Sequence, residues 1–371
     1  MTAAKKPFRT EHVGSLLRPP ELLQARTAHE QSELSREQLQ VVEDRSIIDV
    51  LKFQSDIGID VVTDGEYRRA SWLSGFSDAV EGFEFRVGNR EWKGDDGSVS
   101  RDSTHRSRVI ASKLKRIGRI AAHEAAFLKA HATLPFKITL PSPVVYLASS
   151  YFPGVTDKVY PTRADLARDL IAILREEILA LAAEGVPYIQ LDAPQYTQLA
   201  DPSLRDWVRQ TGWDPARAVD EAIAADKACI DGVRSAGRTV AVHLCRGNYK
   251  GRWRAQGGYD PIAERIFDTF DVDRFLLEYD SDRAGSFEPL RFVPKGKMVV
   301  LGLVTTKEPR LESQDVLLRR IEEAARYVPI ESLALSPQCG FATQAPGNPL
   351  SIDDERRKLE LIVDTARKVW H

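Results

Sequence analysis

Cysteine is scarce in this chain. Three residues, Cys229, Cys245 and Cys339, are scattered through 371 positions, too few and too far apart for a disulfide framework, so reduced thiols are expected. Long apolar runs are missing too: nothing approaches the roughly 20 residues a helix needs to cross a bilayer, and Met1 to Phe8 lacks the apolar core of a signal peptide. No membrane partner is expected, and the protein is read as cytoplasmic. An excess of one charge is also absent. The 52 Lys and Arg balance 54 Asp and Glu, and a net charge of -2 gives no general attraction to nucleic acid, leaving anion recognition to local groups. No Gly-x-Gly-x-x-Gly follows an apolar run, against a dinucleotide fold. No repeat or low-complexity tract suggests a solenoid.

What is present is an alternation of short apolar runs with longer amphipathic ones. Strand-like runs stand at 11–16, 59–62, 136–140, 188–192, 240–245, 274–278, 298–304 and 333–336. Helical spacing marks 36–57, 110–131, 163–184, 217–235 and 352–369. Eight apolar strands separated by helices predict a (β/α)₈ barrel, one catalytic domain over 1–371. Residues 74–108 interrupt the rhythm: Phe76, Phe83, Phe85 and Trp92 are separated by Gly88, Gly94, Asp95, Asp96 and Gly97, which reads as a β-hairpin insertion after the second strand. Its aromatics are expected to pack on neighbouring helices rather than to cover the barrel mouth. Cys229, in a small-residue helical pattern, reads as core.

In such a barrel the chemistry sits where strands end. The fifth run, Val240-Ala241-Val242-His243-Leu244-Cys245, places His243 and Cys245 on one face, because alternate strand residues share a side. Imidazole nitrogen and thiolate sulfur together suit Zn²⁺, yet two ligands do not make a site, and a buried histidine beside an inert cysteine explains the pair as well. The barrel supplies more. Glu278 ends the sixth strand and Cys339 follows the eighth, so His243, Cys245, Glu278 and Cys339 converge as a candidate zinc set. Two thiolates and a carboxylate bring charge -3 against +2, a poor Lewis acid for hydrolysis but a suitable environment for keeping a bound thiol deprotonated and nucleophilic.

HVGSLLRPPEL, VVTDGEYRR, IQLDAP, VAVHLCRGN, the Glu278 strand and SPQCGF, in that order, resemble the catalytic barrel of cobalamin-independent methionine synthase, and more closely its short single-barrel relatives. The resemblance spans nearly the whole chain. It implies that His243, Cys245, Glu278 and Cys339 bind zinc, which activates the homocysteine thiol. It also implies that Gly14 and Ser15 hold the homocysteine carboxylate, and that Glu66 and Asp192 bind its ammonium group. Without that function, Glu66 would pair with Arg68 or Arg69 on the rim and Asp192 would cap a helix.

The pattern departs at two places. Lys307 stands where the long synthases carry a histidine that helps protonate the departing folate nitrogen, and a lysine, with an ordinary pKa of about 10.4, is the weaker proton donor near neutrality. Ala193 stands where the family often has a second acid. The methyl donor is therefore left open between a methylfolate, a methylcorrinoid and another small electrophile. Alkyl transfer to another thiol, as in epoxyalkane:coenzyme M transferase, is the enzymatic alternative, and a thiol- or metal-binding module the non-catalytic one. Self-association into a homo-oligomer is not decided by the sequence.

Overall fold

Six apolar segments pair side by side in the computed structural model, which describes residues 8–87, 90–102, 106–234 and 238–370. They are β5 (Ile138–Pro141), β6 (Tyr188–Asp192), β7 (Thr239–Leu244), β8 (Arg274–Glu278), β9 (Met298–Val304) and β10 (Leu333–Pro337), all parallel and adjacent in chain order. Nearly every residue in them is buried, as expected of a parallel sheet covered on both faces.

The first two expected strands are reduced to single bridges that complete the ring. Thr10 pairs with Leu335 of β10, Glu11 with Val61, and Val62 with Phe136, just before β5, each in parallel. Backbone bonds support this closure: Leu335 N–H donates to Arg9 at 2.9 Å, Val62 N–H to Pro135 at 2.9 Å and Lys137 N–H to Val62 at 3.0 Å. Inside the ring, Val13, Val61, Tyr188, Ala241, Leu276, Val300 and Ala334 form their own buried cluster, one residue from each of seven of the eight staves. The architecture is of the TIM-barrel type.

The ring is covered by helices whose starts are written locally. Ser35, Thr162 and Ser351 each form a reciprocal capping box with the residue three further on, fixing α2 (Arg36–Ile57), α6 (Arg163–Ala183) and α12 (Ile352–Val369) where helical spacing predicts them. The helix expected at 217–235 is shorter, α9 (Ala218–Ile230), with Cys229 fully buried in it; residues 235–237 lie outside the described ones. No described helix is long and apolar enough to cross a membrane.

The excursion differs from expectation in extent. After the short helix α3 (Ser74–Ala79), strand β1 (Val80–Val87) pairs antiparallel with β4 (Arg106–Arg116). The first third of the helix expected at 110–131 is therefore a strand, and only α4 (Ala122–His131) is helical. Ile110, Leu114 and Ile117 happen to fit a helical spacing, but β1 offers a partner for the whole segment, and tertiary pairing overrides so weak a local signal. A second hairpin joins β2 (Arg90–Lys93) and β3 (Val99–Asp102).

Its aromatics do two things, where packing alone was expected. Phe76 and Phe83 pack on Tyr146, with centroids 4.4 and 5.8 Å away. Phe85 and Trp92 instead line the cavity at the barrel mouth. The tip is tied to the loops after β7 and β8: Lys93 and Trp253 exchange backbone bonds of 2.8 and 2.9 Å, and Arg283 donates to Asp95 at 2.6 Å.

Candidate active site

His243 ends the inward face of β7 and Cys245 follows two residues on, while Cys339 enters from the loop after β10. All three are buried, and their ligand atoms lie within 4.8 Å of one another. The two sulfurs are 3.8 Å apart. The Cys245 thiol and His243 hold Cys339 well below the usual thiol range, while the same contact and burial push Cys245 up. Both ring nitrogens of His243 are buried without a hydrogen-bond partner among the described residues. A buried imidazole normally satisfies at least one nitrogen. Two soft sulfurs beside an unsatisfied nitrogen fit a zinc ion.

Glu278 stands apart from this trio. Its Oε2 accepts from Arg246 N–H at 2.5 Å, and its Oε1 faces Arg283 at 3.0 Å and Lys307 Nζ at 3.5 Å. Against the upward push of burial, Lys307, Arg246 and Arg283 hold its carboxyl well below the usual range. Lys307 also lies 3.5 Å from Asp280. Lys307 is thus a buried partner of two acids behind the trio and does not line the cavity.

Seven of the nine sequence-predicted residues do line one cavity of about 360 Å³: Gly14, Ser15, Glu66, Asp192, His243, Cys245 and Cys339. Glycine at 14 is a requirement of close approach, since a Cβ there would lie 2.9 Å from Glu66 Oε1. At Gly340 a Cβ would fall 2.1 Å from Ser15 Oγ, so the Cys339 loop reaches Ser15 only because that position has no side chain.

The two carboxylates are held on one side and open on the other. Glu66, with φ of 58°, accepts at Oε1 from Thr139 Oγ1 at 2.9 Å and Arg69 at 3.3 Å. Its Oε2 is buried with no partner among the described residues. Arg68 turns away to Glu43 and Asp44. A left-handed glutamate is uncommon and costs backbone energy, which marks sites where orientation matters. Asp192 does not cap the next helix, α7 (Gln195–Ala200), which has no side-chain cap. Instead its Oδ1 accepts from Gln190 Nε2 at 2.7 Å. Burial, with Glu66 and Cys339 nearby, pushes its carboxyl up to about 7 against the pull of His243. A cation placed between Glu66 and Asp192 would relieve both.

Three residues of the site escaped the sequence reading. Gln190 shares the inward face of β6 with Asp192, and the strand's period of two carries that signal. Asn248, inside the quoted VAVHLCRGN stretch, donates to Thr306 at 3.1 Å and to Gly340 O at 2.9 Å, and its Oδ1 has no partner among the described residues. Asp64 accepts from Glu66 N–H at 2.9 Å and is pushed up to about 6 by burial and Glu124; nothing local in the charged TDGEYRR loop separates it from its neighbours.

The chain resembles known proteins over this whole unit. The sequence profile described as cobalamin-independent synthase, catalytic domain, matches residues 8–368. The uncharacterized protein YxjH of Bacillus subtilis is 36% identical over 382 residues, covering 99% of this chain and 96% of that one. A methionine synthase of Sulfurisphaera tokodaii is 25% identical over 334 residues, covering 90% and 85%. Among solved structures, the putative vitamin-B12 independent methionine synthase of Listeria monocytogenes superimposes with a TM-score of 0.76 at 26% identity, covering 98% of each chain. On these matches, the chain belongs to the catalytic-domain family of the cobalamin-independent synthases, methyltransferases of the methionine synthase kind.

Proposed function

We propose that this protein is a zinc-dependent methyltransferase that forms methionine from homocysteine, with its chemistry in a single catalytic unit to which the 74–108 segment and its extension to β4 are appended. The observation that carries the reading is His243, with both nitrogens unsatisfied beside two sulfurs, at the floor of a cavity that also holds two partly open carboxylates. His243, Cys245 and Cys339 would hold the ion, with Glu278 available as a fourth ligand if it leaves Lys307 and Arg283. A zinc ion in such a sulfur-rich set lowers the pKa of an added thiol and keeps the thiolate electron-rich.

The chain's own residues would do the positioning. Glu66 Oε2 and the free oxygen of Asp192 receive the ammonium group, and the Gly14–Ser15 backbone turns the amino acid's carboxylate toward the Ser15 hydroxyl. This leaves the homocysteine sulfur directed at the trio. The sulfur then attacks the donor's methyl carbon: the new carbon–sulfur bond forms as the bond to the donor's leaving atom breaks, and that atom takes the electron pair. The thiol proton is released to solvent before attack. A pair of thiols 3.8 Å apart needs a reducing compartment to stay open, which fits the cytoplasm.

The test is metal content and transfer on the same samples. The protein should hold about one zinc per chain, and His243→Ala or Cys339→Ala should lose both zinc and methionine formation in a screen of methylfolate mono- and polyglutamates, methylcobalamin and S-methylmethionine. Full activity in the absence of zinc would overturn the proposal. Zinc and homocysteine binding with no product from any donor would favour a binding module, and turnover of coenzyme M with an epoxide would favour the other thiol.

A further inference from the structure

The cavity has two electrically different ends. One carries the thiol pair and the two carboxylates. The other is walled by the excursion, where Arg90 opens β2 and Arg108 stands in β4. Neither guanidinium has an ion pair or a side-chain hydrogen bond among the described residues. Arg108 lies with its Cζ 5.4 Å from the Phe85 ring centroid, and its Nε is buried and unpartnered. Tyr146 and Asp78 reach it only beyond contact distance.

A third arginine backs them. Arg254, 7% exposed, lies 4.6 Å over the Trp207 ring with an unpartnered Nε. Burial and then repulsion from Arg90 push it down to about 9, and partial burial takes Arg90 to about 10. Glu91, the acid that opposes this at Arg254, is engaged with Arg101 at 2.7 Å.

Arg254 is buried and Arg90 and Arg108 are half-buried, and cations withdrawn from water with no counter-charge among the described side chains are costly. The charges balance when an anion enters. A guanidinium presents a planar fork that matches a carboxylate or a phosphate, and the match is strongest where water is excluded. The amino acid substrate cannot be that anion, because its carboxylate is served at the opposite end by Gly14 and Ser15. We infer that Arg90 and Arg108, backed by Arg254, form an anion subsite at the excursion end of the cavity that takes a carboxylate or phosphate group of the methyl donor.

The inference rests on reading the cavity as a thiol methyltransferase site, and its test is separable from that reading. Zinc-loaded full-length protein is titrated calorimetrically with glutarate and, separately, with pyrophosphate, at low and moderate salt. The wild type should bind at least one probe, and Arg90→Gln/Arg108→Gln should weaken that binding at least tenfold while zinc content and homocysteine affinity stay within twofold. Preference for glutarate assigns a carboxylate-bearing donor, and preference for pyrophosphate a phosphate-bearing one. Arg90→Lys/Arg108→Lys, which keeps charge but loses the fork, should fall between, and it carries the comparison if the glutamine pair does not fold. No binding of either probe by the wild type, or equal binding by wild type and variants, overturns the subsite. Anion binding that needs these arginines in a protein that takes up neither zinc nor homocysteine would sink the methyltransferase reading and leave the subsite standing.

Discussion

Replacing Gln190 by glutamate tests whether Asp192 is presented to the cavity as a charged acceptor. The orientation of the Gln190 amide is forced: its Oε1 accepts from Lys137 Nζ at 2.7 Å, so its Nε2 must donate to Val13 O and to Asp192 Oδ1, both at 2.7 Å. Lys137 is anchored in turn by Glu11 at 2.7 Å, and Glu11 by Arg274 at 2.9 Å. A glutamate keeps the acceptor that Lys137 needs and gives up one bond to the Val13 carbonyl, so the barrel interior should remain folded. Toward Asp192, however, it sets oxygen against oxygen where the amide stood 2.7 Å away. One of the two must take a proton, and Asp192, already pushed up to about 7, is the group placed to take it. Asp192 then meets the ammonium group as a neutral acid. A hydrogen bond to a charged group is worth about 1.5–3 kcal/mol, and about 1.4 kcal/mol is tenfold in affinity, so the Kd for homocysteine should rise about 10- to 150-fold. Calorimetric titration of the zinc-loaded variant measures this without a methyl donor. A folded Gln190→Glu protein with unchanged zinc and a Kd within twofold of wild type would refute the role given to Asp192.

Three further outcomes follow from the geometry. Glu355, whose carboxyl burial pushes up from 4.5 to about 8 although it accepts from Leu17 N–H at 2.8 Å, is protonated in both states below pH 4.5; between there and about 8 only the unfolded chain releases its proton. Stability should therefore fall as pH rises through that window, by at most about 1.4 kcal/mol per unit, and Glu355→Gln should flatten the urea midpoint between pH 5 and 8; a wild-type profile already flat there contradicts the shift. Gly340→Ala puts a methyl group where Ser15 Oγ stands and should cost about 1–3 kcal/mol by overpacking, with Ser15→Ala/Gly340→Ala recovering part of the loss in thermal melts; no recovery would place the strain elsewhere. Stripping zinc should leave the far-ultraviolet spectrum intact, because the ring is joined stave to stave by backbone bonds that do not involve the three ligand side chains, and should lower stability by about 2.7 kcal/mol relative to free zinc at 100 times its Kd; unfolding of the stripped protein would refute this.

The legible parts of the chain were those where local pattern and final surroundings agree. The strands β5 to β10 are short, apolar and buried on both faces, so a run such as Tyr188-Ile189-Gln190-Leu191-Asp192 carries its fate in its composition. The first two staves are held by Thr10, Glu11, Val61 and Val62 alone, and there the pattern overstated the pairing that forms. Residues 110–116 failed for the opposite reason: their helical spacing is real, and the partner strand that overrides it lies some thirty residues away in sequence. Arg90 and Arg108 could not be read at all, since an arginine in a polar strand pair is ordinarily solvated and only the docking of the excursion on the barrel mouth turns these two toward the cavity.

Glu278 shows where sequence reasoning stops even when it has the right neighbourhood. Its place at the carboxyl end of β8 makes it a candidate ligand, but a carboxylate goes to the strongest positive field within reach, and that field is set by the folded arrangement of groups near and far in sequence. Here Arg246 N–H, Arg283 and Lys307 surround it. For Glu278 to serve an ion at the trio, the ion's +2 must outcompete two cations and a backbone donor, and Arg283 and Lys307 must fall back on Asp280, which already lies 3.2 and 3.5 Å from them. Asp280 is thus the group that makes such a transfer affordable. Asp280→Asn removes the fallback charge, so it should weaken zinc binding while leaving the trio intact, and Lys307→Met, which loosens the hold on Glu278, should act in the opposite direction. Zinc affinities that move together in the two variants, measured against a competing chelator, would show that Glu278 does not move between these partners.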